Sequence, residues 1–594
     1  MSECIMNGLE ISFDPGETIL SAARREGIRI PSLCYLEGKD PMAACRVCVV
    51  EIEGAPRLAA ACSTPLREGM KIKTNSPRVR ESRKELVSLI LSEHEGNCSW
   101  CERSQDCELK ALAFELGIQD APETGEKPVE YFDESTEALV RNSAKCIRCR
   151  RCITSCNSIQ GVGALYPQGR GFKTEIAPAF SGELASVACV QCGQCAAVCP
   201  VGAITEKSHI PGVLEALEDP ERYVVVQTAP AIRAALGECF GMPPGTLVTG
   251  KMVTALKRMG FDAVFDTNFT ADLTILEEGT ELLHRLKTVV KEGGKAPLPQ
   301  FTSCSPGWIQ FTEYYYPEFM PHLSTCKSPQ QMFGALAKTY YAGKAGVKPE
   351  HMTVVSVMPC TAKKYEAARE EMADSGFRDV DYVLTTRELG RLILQSGLDF
   401  TALPDSEMDA PLGISSGAAD IFANTGGVME AALRTVHEIV TGRPLPGEDL
   451  HIKPLSTLEG IKTLSLVLEN TAEEWIFLEG VEVRLAVAHG LRNAASLLDA
   501  VKEGRESFHF VEVMTCPGGC IGGGGQPRLT DDRVRQARIN AIFREDEGKP
   551  IRKSHENPGV AFLYNDFLGE PLGEKSHHLL HTEYRQKKKV QLKI

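Results

Sequence analysis

Cysteine is the residue whose number and spacing say most about the chemistry of this chain. The 594 residues include 22 cysteines, and most of them stand in groups in which neighbouring thiols are only two or three residues apart. Thiolates at this spacing bind zinc or iron–sulfur clusters, whereas a disulfide framework is typical of small secreted proteins. The groups therefore predict several metal centres in a reducing compartment, and we expect a cytoplasmic protein.

An internal repeat contains two runs of four cysteines. They are Cys146, Cys149, Cys152 and Cys156, and then Cys189, Cys192, Cys195 and Cys199. The second run continues into Pro200 and matches C-x2-C-x2-C-x3-C-P, the pattern of bacterial ferredoxins that hold two [4Fe–4S] clusters. In that pattern the fourth cysteine of each run binds the other cluster. Cys199 is thus predicted to complete the first cluster and Cys156 the second.

Two further groups of ligands precede the repeat. The first consists of Cys34, Cys45, Cys48 and Cys62, and the second of His94, Cys98, Cys101 and Cys107. The first has the C-x2-C pair and the distant fourth thiol of plant-type [2Fe–2S] ferredoxins, although its first gap is longer. One imidazole and three thiolates could hold zinc. The position of the second group between iron–sulfur modules favours a third accessory [4Fe–4S] cluster instead.

Sequence patterns place these groups in a multidomain α+β and α/β protein. Residues 1–78 have short strand patterns and predict a plant-type ferredoxin-like domain, and residues 79–120 predict a helical His/Cys3 cluster domain. Residues 139–209 predict a bacterial two-[4Fe–4S] ferredoxin-like domain. Buried strand patterns then alternate with helical stretches over 222–527, which indicates a large α/β domain. Residues 528–594, including the histidine-rich segment 576–581, are polar and predict a solvated tail or a docking segment.

Composition excludes several classes of function. The formal net charge of −14 disfavours nucleic acid as a partner. No stretch of about 20 apolar residues predicts a membrane span, and the N-terminus lacks the pattern of a signal peptide. No G-x-G-x-x-G motif lies between a predicted strand and helix, so this chain is not expected to bind NAD(P) by itself. Cys4, Cys239 and Cys326 lie outside the ligand groups and are predicted to be unliganded thiols.

Three segments in the α/β part carry a family resemblance. They are F-T-S-C-S-P-G-W (301–308), M-P-C-T-A-K-K-Y-E (358–366) and E-V-M-T-C-P-G-G-C-I-G-G-G-G-Q-P (512–527). They resemble the three signature motifs of [FeFe]-hydrogenases, and the resemblance covers essentially the whole chain. It implies reversible H2 oxidation and proton reduction at an H-cluster. That cofactor is a [4Fe–4S] cubane joined to a two-iron subsite with CO, cyanide and a bridging dithiolate amine.

The resemblance also implies roles for individual residues. Cys360, Cys516 and Cys520 would bind the cubane, Cys520 would bridge to the two-iron subsite, and Lys363 would donate a hydrogen bond to a cyanide. The implied lining residues are Ala229, Pro230, Gln330, Met358 and Met514. The implied proton relay to the surface consists of Glu278, Glu281, Arg285 and Ser324.

The chain departs from the family at Ser305. The first motif usually has two adjacent cysteines, of which the first relays protons to the bridging amine and the second binds the cubane. By register Cys304 is the relay and Ser305 occupies the ligand position. By chemistry alone, Cys304 is the better cubane ligand and Ser305 would carry the proton. The sequence leaves both assignments open, and both place Cys304 in the active site.

The electron partner is predicted from the set of domains and from Ser305. These features resemble the catalytic subunits of multimeric NAD(P)-linked hydrogenases, which implies partner subunits that bind flavin and NAD(P). The alternatives are a monomeric ferredoxin-dependent hydrogenase and an H2-sensing member of the family. A hydrogenase-like iron–sulfur assembly protein is a further alternative, but such proteins lack the long accessory module.

Overall fold

The N-terminal residues fold around a five-stranded sheet with the strand order β2-β1-β5-β3-β4. The computed structural model describes residues 2–119, 127, 130–445, 451, 452, 455, 457–528 and 531–587. Asn7 and Gly8, both with positive φ, form the turn between the antiparallel strands β1 and β2. The elements are β1 (Ser2–Met6), β2 (Leu9–Phe13), α1 (Ile19–Arg25), β3 (Val49–Ile52), β4 (Ala59–Ala60) and β5 (Lys71–Lys73).

Two helices and a small ferredoxin-like module follow. Helices α2 (Pro77–Glu93) and α3 (Glu108–Glu115) flank the His/Cys3 group. In the next module, Arg150 and Gly193 adopt the same left-handed conformation directly before α4 and α5, so the sequence repeat is also a structural repeat. The elements are β6 (Phe132–Asp133), β7 (Leu139–Asn142), α4 (Arg151–Ile153), β8 (Tyr166–Gln168), β9 (Glu175–Ala177), α5 (Gln194–Val198) and β10 (Ile204–Glu206).

Two four-stranded sheets form the centre of the large domain. The first has the order β12-β11-β14-β15 and is parallel throughout, whereas the second has the order β13-β18-β17-β16 with only β16 antiparallel. Every residue of β14 is buried, as expected for a strand covered on both faces. The strands are β11 (Tyr223–Thr228), β12 (Ala263–Asp266), β13 (Gln300–Phe301), β14 (Met352–Met358), β15 (Tyr382–Thr385), β16 (Ile461–Val467), β17 (Glu482–His489) and β18 (Phe510–Met514).

Helices cover these sheets. The 20-residue helix α9 begins at an Asp266 cap and buries most of its length in the domain core. The helices are α6 (Ile210–Glu218), α7 (Pro230–Arg233), α8 (Thr249–Arg258), α9 (Thr267–Leu286), α10 (Pro306–Tyr315), α11 (Pro329–Leu336), α12 (Ala342–Ala345), α13 (Ala362–Ala367), α14 (Thr386–Gln395), α15 (Gly417–Asp420), α16 (Gly427–Thr441), α17 (Leu491–Lys502), α18 (Asp532–Gly548), α19 (Pro558–Leu563) and α20 (Glu574–Leu580). Within the described ranges no helix is long and apolar enough to cross a membrane.

The prediction of a solvated tail after residue 528 is wrong for the described part of that segment. Helix α18 buries Ile539 and Ile542 against the large domain, and α20 buries Leu580. The charges that suggested solvation are neutralised inside the protein, as when Arg538 donates to both carboxylate oxygens of Glu238 at 2.7 and 2.8 Å. Residues 588–594 lie outside the described residues.

A buried carboxylate joins the ferredoxin-like module to the large domain. Glu206, the last residue of β10, is fully buried and accepts hydrogen bonds from Arg387 and Arg391 at 2.7 and 3.0 Å. Arg528 approaches the same carboxylate at 3.4 Å. A buried charge is stable only with such partners, so the two domains are held in a fixed relative position.

Candidate active site and its metal centres

The signature segments meet where strands of the two sheets end. Cys360 follows β14, Cys516 follows β18, and Cys304 lies between β13 and α10. The Cys520 thiol lies near those of Cys360 and Cys304, and Cys516 lies near both Cys360 and Cys520. Burial, followed by the neighbouring Cys360, raises the pKa of Cys520 to about 12. Buried thiols this close together ionise readily only beside a cation, which is the condition an iron cluster provides.

Cys304 and Ser305 face different neighbours. Burial and then the nearby Glu278 carboxyl raise the pKa of Cys304 well above its usual value. The Ser305 hydroxyl hydrogen-bonds the Thr515 hydroxyl at 2.7 Å and accepts from the Thr515 N–H at 3.3 Å. Cys304 therefore lies at the beginning of the predicted proton relay, and Ser305 lies against the residue that precedes Cys516.

The Lys363 ammonium has a partner that the sequence analysis did not identify. Glu366, which is buried, accepts hydrogen bonds from Lys363 at 2.8 Å, from Gln330 at 3.0 Å and from Ser328 at 2.9 Å. Lys363 also donates to the Cys304 carbonyl at 3.0 Å. The spacing of three residues on helix α13 was the available signal, because i, i+3 pairs share a helix face. Glu366 fixes Lys363 and Gln330 beside the cysteine cluster.

The remaining predicted lining residues also lie at strand ends. Met358 and Met514 are the last residues of β14 and β18, and both are buried. Ala229 and Pro230 follow β11, and the Ala229 N–H donates to the Val357 carbonyl at 3.0 Å. The structure thus brings residues from three separated sequence segments to one edge of the two sheets, where α/β folds commonly place their sites.

The four residues of the predicted proton relay lie together. Glu281 accepts hydrogen bonds from Arg285 at 2.6 Å and from the Ser324 hydroxyl at 2.8 Å. Burial, followed by the nearby Glu281 carboxylate, raises the pKa of Glu278 to about 8. Glu278 is therefore a neutral carboxylic acid at pH 7 and can both donate and accept a proton. The order of neighbours from the active site outward is Cys304, Glu278, Ser324, Glu281 and Arg285.

The two cysteine runs of the ferredoxin-like module exchange their fourth members in space. One cavity is lined by Cys146, Cys149, Cys152 and Cys199, and a second by Cys156, Cys189, Cys192 and Cys195. Eight thiols arranged as two sets of four, each around its own cavity, fit two [4Fe–4S] clusters.

The structure also brings members of the other two ligand groups together. Cys34 and Cys45 hydrogen-bond each other through their thiols, as do Cys48 and Cys62, and the bond from Cys45 lowers the pKa of Cys34. These sulfurs fit a [2Fe–2S] cluster. In the His/Cys3 group, Cys101 and Cys107 lie close together.

His94 has the features of a metal ligand. It is buried, and burial lowers its pKa, so its imidazole is neutral as metal binding requires. Within the described part of the chain, its Nδ1 has no hydrogen-bond partner. A buried polar atom without a partner is unfavourable, and ligation of iron would satisfy it.

Contacts between the modules hold these ligand groups close to one another. Arg151 donates to Glu108 at 2.7 Å and to the Ser32 carbonyl at 3.3 Å, which ties the first three modules together. Arg103 is fully buried and donates to the Cys199 carbonyl at 2.5 Å. Each cluster group thus lies in a module that contacts the next one.

The last contact in this series joins the ferredoxin-like module to the cubane loops. Gln194 donates to the Gly522 carbonyl at 2.9 Å, and Thr361 donates to the Gln191 carbonyl at 2.7 Å. A Cβ atom on Gly524 would lie 2.1 Å from the Cys192 carbonyl oxygen. Glycine is required there because the two backbones touch.

We predict that Gly524→Ala impairs electron delivery to the active site. The added methyl group must push the two backbones apart, with a loss of stability of about 1–3 kcal/mol, as for other overpacked sites. Reduction of protons with a donor that feeds the N-terminal clusters should slow. Exchange of H2 with D2O, which needs no external electrons, should persist.

Gly343→Ala is the matched control for this variant, because a Cβ at that helical position would meet nothing within 4 Å. It should keep both activities. Wild-type rates of electron delivery in Gly524→Ala would contradict the importance of this backbone contact.

Comparison with known proteins identifies the same modules. The family model described as "Iron only hydrogenase large subunit, C-terminal domain" matches residues 222–524, and "Iron hydrogenase small subunit" matches 532–587. The models for a 2Fe-2S iron-sulfur cluster binding domain, the NADH-ubiquinone oxidoreductase-G iron-sulfur binding region and a 4Fe-4S dicluster domain match residues 3–77, 83–122 and 145–203. The expected fold class and iron–sulfur cofactors are confirmed.

Individual relatives cover nearly the whole chain. It is 49% identical to the NADP-reducing hydrogenase subunit HndD of Solidesulfovibrio fructosivorans, over 98% of this chain and 99% of that one. It is 39% identical to iron hydrogenase 1 of Clostridium pasteurianum, over 99% of this chain and 100% of that one. A solved structure of the [FeFe]-hydrogenase HydA1 from Chlamydomonas reinhardtii is 43% identical, with a TM-score of 0.57, over 64% of this chain and 99% of that one. The chain belongs to the iron-only, or [FeFe]-, hydrogenases, and it is an oxidoreductase that carries [2Fe–2S], [4Fe–4S] and H-cluster cofactors.

Proposed function

We propose that this chain is the H2-activating subunit of an NAD(P)-linked hydrogenase. Electrons would pass between the active site and the N-terminal clusters, and from there to partner subunits that bind flavin and NAD(P), or to a ferredoxin. The observation that carries the proposal is the sequence similarity of this chain, over almost its full length, to a hydrogenase subunit that is named for NADP reduction. Since the sequence has no nucleotide-binding motif of the G-x-G-x-x-G type, reduction of NADP would require another subunit.

The proposed cluster ligands follow from the groups described above. The [2Fe–2S] ligands are Cys34, Cys45, Cys48 and Cys62, and the His/Cys3 ligands are His94, Cys98, Cys101 and Cys107. The two ferredoxin-type clusters use the crossed sets of four thiols, and the cubane of the H-cluster uses Cys360, Cys516 and Cys520. When bound, the H-cluster supplies the redox chemistry that interconverts two protons, two electrons and H2.

We assign proton movement to the side chains near α9. Cys304 exchanges a proton with Glu278, whose raised pKa keeps it protonated at pH 7. The Ser324 hydroxyl links Glu278 to Glu281, and Arg285 holds the Glu281 carboxylate in place. Lys363, fixed by Glu366, places a positive charge beside the cysteine cluster, where it can donate to an anionic ligand.

Of the two assignments that the sequence left open, the neighbours of Cys304 favour the proton relay. Its thiol lies beside the Glu278 carboxyl, whereas the Ser305 hydroxyl is bound to Thr515. A thiol that faces a neutral carboxylic acid is placed to pass protons. Ser305 then stands at the position where relatives have a cubane ligand.

We predict that Cys304→Ala keeps the carbonyl and cyanide infrared bands of the matured protein but loses about 10²–10⁴-fold in turnover, the usual effect of removing a positioned acid–base group. Ser305→Cys, which adds a thiolate at the ligand position, should retain turnover and stabilise the cubane. Loss of the cluster itself in Cys304→Ala would instead identify Cys304 as a cubane ligand.

The partner assignment is tested by purifying the chain from its native source under mild conditions. We expect flavin-bearing subunits to co-elute and the complex to reduce NADP⁺ with H2. The chain separated from them should oxidise H2 only with an artificial acceptor. A flavin-free chain that couples H2 oxidation to ferredoxin alone would contradict the NAD(P)-linked assignment.

A further inference from the structure

The C-terminal segment contacts the proposed proton relay directly. The Lys327 N–H donates to the Leu580 carbonyl, and the Thr582 N–H donates to the Thr325 carbonyl, both at 2.8 Å. These bonds align residues 580–582 with residues 325–327, which directly follow Ser324. His581 lies between them and is buried.

Two hydrogen bonds fix the His581 ring. Its Nδ1 pairs with the Thr325 hydroxyl at 2.8 Å, and its Nε2 pairs with the Glu277 carboxylate at 3.1 Å. Glu277 is itself buried and accepts from the Tyr564 hydroxyl at 2.6 Å and from the Leu572 N–H at 2.8 Å. The ring is thereby held between Thr325 on one side and the Glu277 carboxylate on the other.

His581 also lies close to the relay on one side and to solvent on the other. One ring nitrogen of His581, the Cys326 sulfur and a Glu281 carboxylate oxygen all lie within 4.8 Å of one another. The His577 ring is exposed and stacks on the His581 ring, with 4.8 Å between centroids and 6° between planes. A line of groups that can exchange protons thus leads from Glu281 to the surface.

A proton could also leave Glu281 on the side of Arg285, but the Arg285 guanidinium does not itself release protons. Its guanidinium donates to Glu281 and to the carbonyls of Pro297, His322 and Leu323. Arginine stays charged in proteins and accepts no hydrogen bond, whereas histidine titrates near neutral pH. Arg285 therefore orients Glu281, and any proton that leaves by that side must travel through water.

We propose that His581 carries protons between Glu281 and the exposed His577, as a second route that branches from the relay. During H2 oxidation, neutral His581 takes the proton of the Glu281 carboxylic acid at one ring nitrogen. Glu277 balances the imidazolium charge, and the proton passes to neutral His577 through a bridging water and then to bulk water. Proton reduction reverses the direction, and no electron or other group moves. The titratable groups around His581 are Glu277, Glu281, Cys326, Tyr564, His577 and Tyr584.

The first test uses surface variants of the matured holoenzyme, which leave the buried network intact. His577→Gln should lower H2 oxidation at neutral pH by about threefold to tenfold and alter its pH profile. The loss is smaller than the ~10²–10⁴-fold expected for an obligatory acid–base group, because protons can still leave Glu281 through water on the side of Arg285. His578→Gln, which changes another exposed residue of the same helix, is the matched control and should behave as the wild type. An unchanged pH profile and rate in His577→Gln would overturn the proposal.

Chemical rescue separates proton transfer from a structural role of His581. His581→Ala should regain turnover when imidazole is added, but not with pyrazole, a ring of the same shape that stays unprotonated at neutral pH. Equal rescue by both rings, or by neither, would overturn the proposal. If His581→Ala does not fold, the His577 and His578 variants decide the question alone.

The proposal rests on the relay in the proposed function, and Glu281→Gln tells the two failures apart. If the wild type shows no H2 turnover, or if Glu281→Gln keeps full turnover, the proposed function or its relay fails. If Glu281→Gln is slow while both His577→Gln and His581→Ala match the wild type, only the branch through His581 fails.

Discussion

The close approach of two backbones, Cys192–Gly193 and Gly522–Gly525, is the constraint on which the rest of the structure depends. It brings Cys192, a proposed accessory-cluster ligand, close enough to Cys516 for Cys516 to raise its pKa further after burial. A side chain on Gly524 could not fit between these loops, since its Cβ would lie 2.1 Å from the Cys192 carbonyl oxygen. The Glu206 ion-pair network holds the two domains in the position that this contact requires.

In the proposed function, electrons and protons approach the active site from different sides. The cluster modules lie on the side of the Gly522–Gly525 loop, whereas the acidic residues of α9 and the C-terminal segment lie on the side of Cys304. Burial has opposite consequences on the two sides. It raises the pKa of thiols such as Cys516, which then ionise readily only beside a cation, and it raises the pKa of Glu278 to about 8, which keeps this carboxyl protonated near pH 7. The same low polarity therefore suits cluster binding on one side and proton transfer on the other.

What the sequence could predict follows from the range of the interactions. Cysteine ligands repeat at short spacings, so the four accessory groups and the strand-end position of Cys360 could be read locally. The His581–Glu277 pair spans 304 residues and has no local pattern. The polar segment after residue 528 wrongly predicts a solvated tail because its charges pair with distant residues, as Arg538 does with Glu238. Glu366 could have been found, since it lies one helical turn from Lys363.

The most direct test of the account is to expose the matured chain to H2 without any added donor and follow the accessory clusters by electron paramagnetic resonance. We predict that H2 alone reduces them in the wild type. In Cys520→Ala the accessory clusters should stay oxidised. In Cys189→Ala the infrared bands of the active site should still respond to H2, but reduction of the clusters beyond the altered one should be slower. Wild-type protein that exchanges H2 with D2O while all of its accessory clusters remain oxidised would contradict the account.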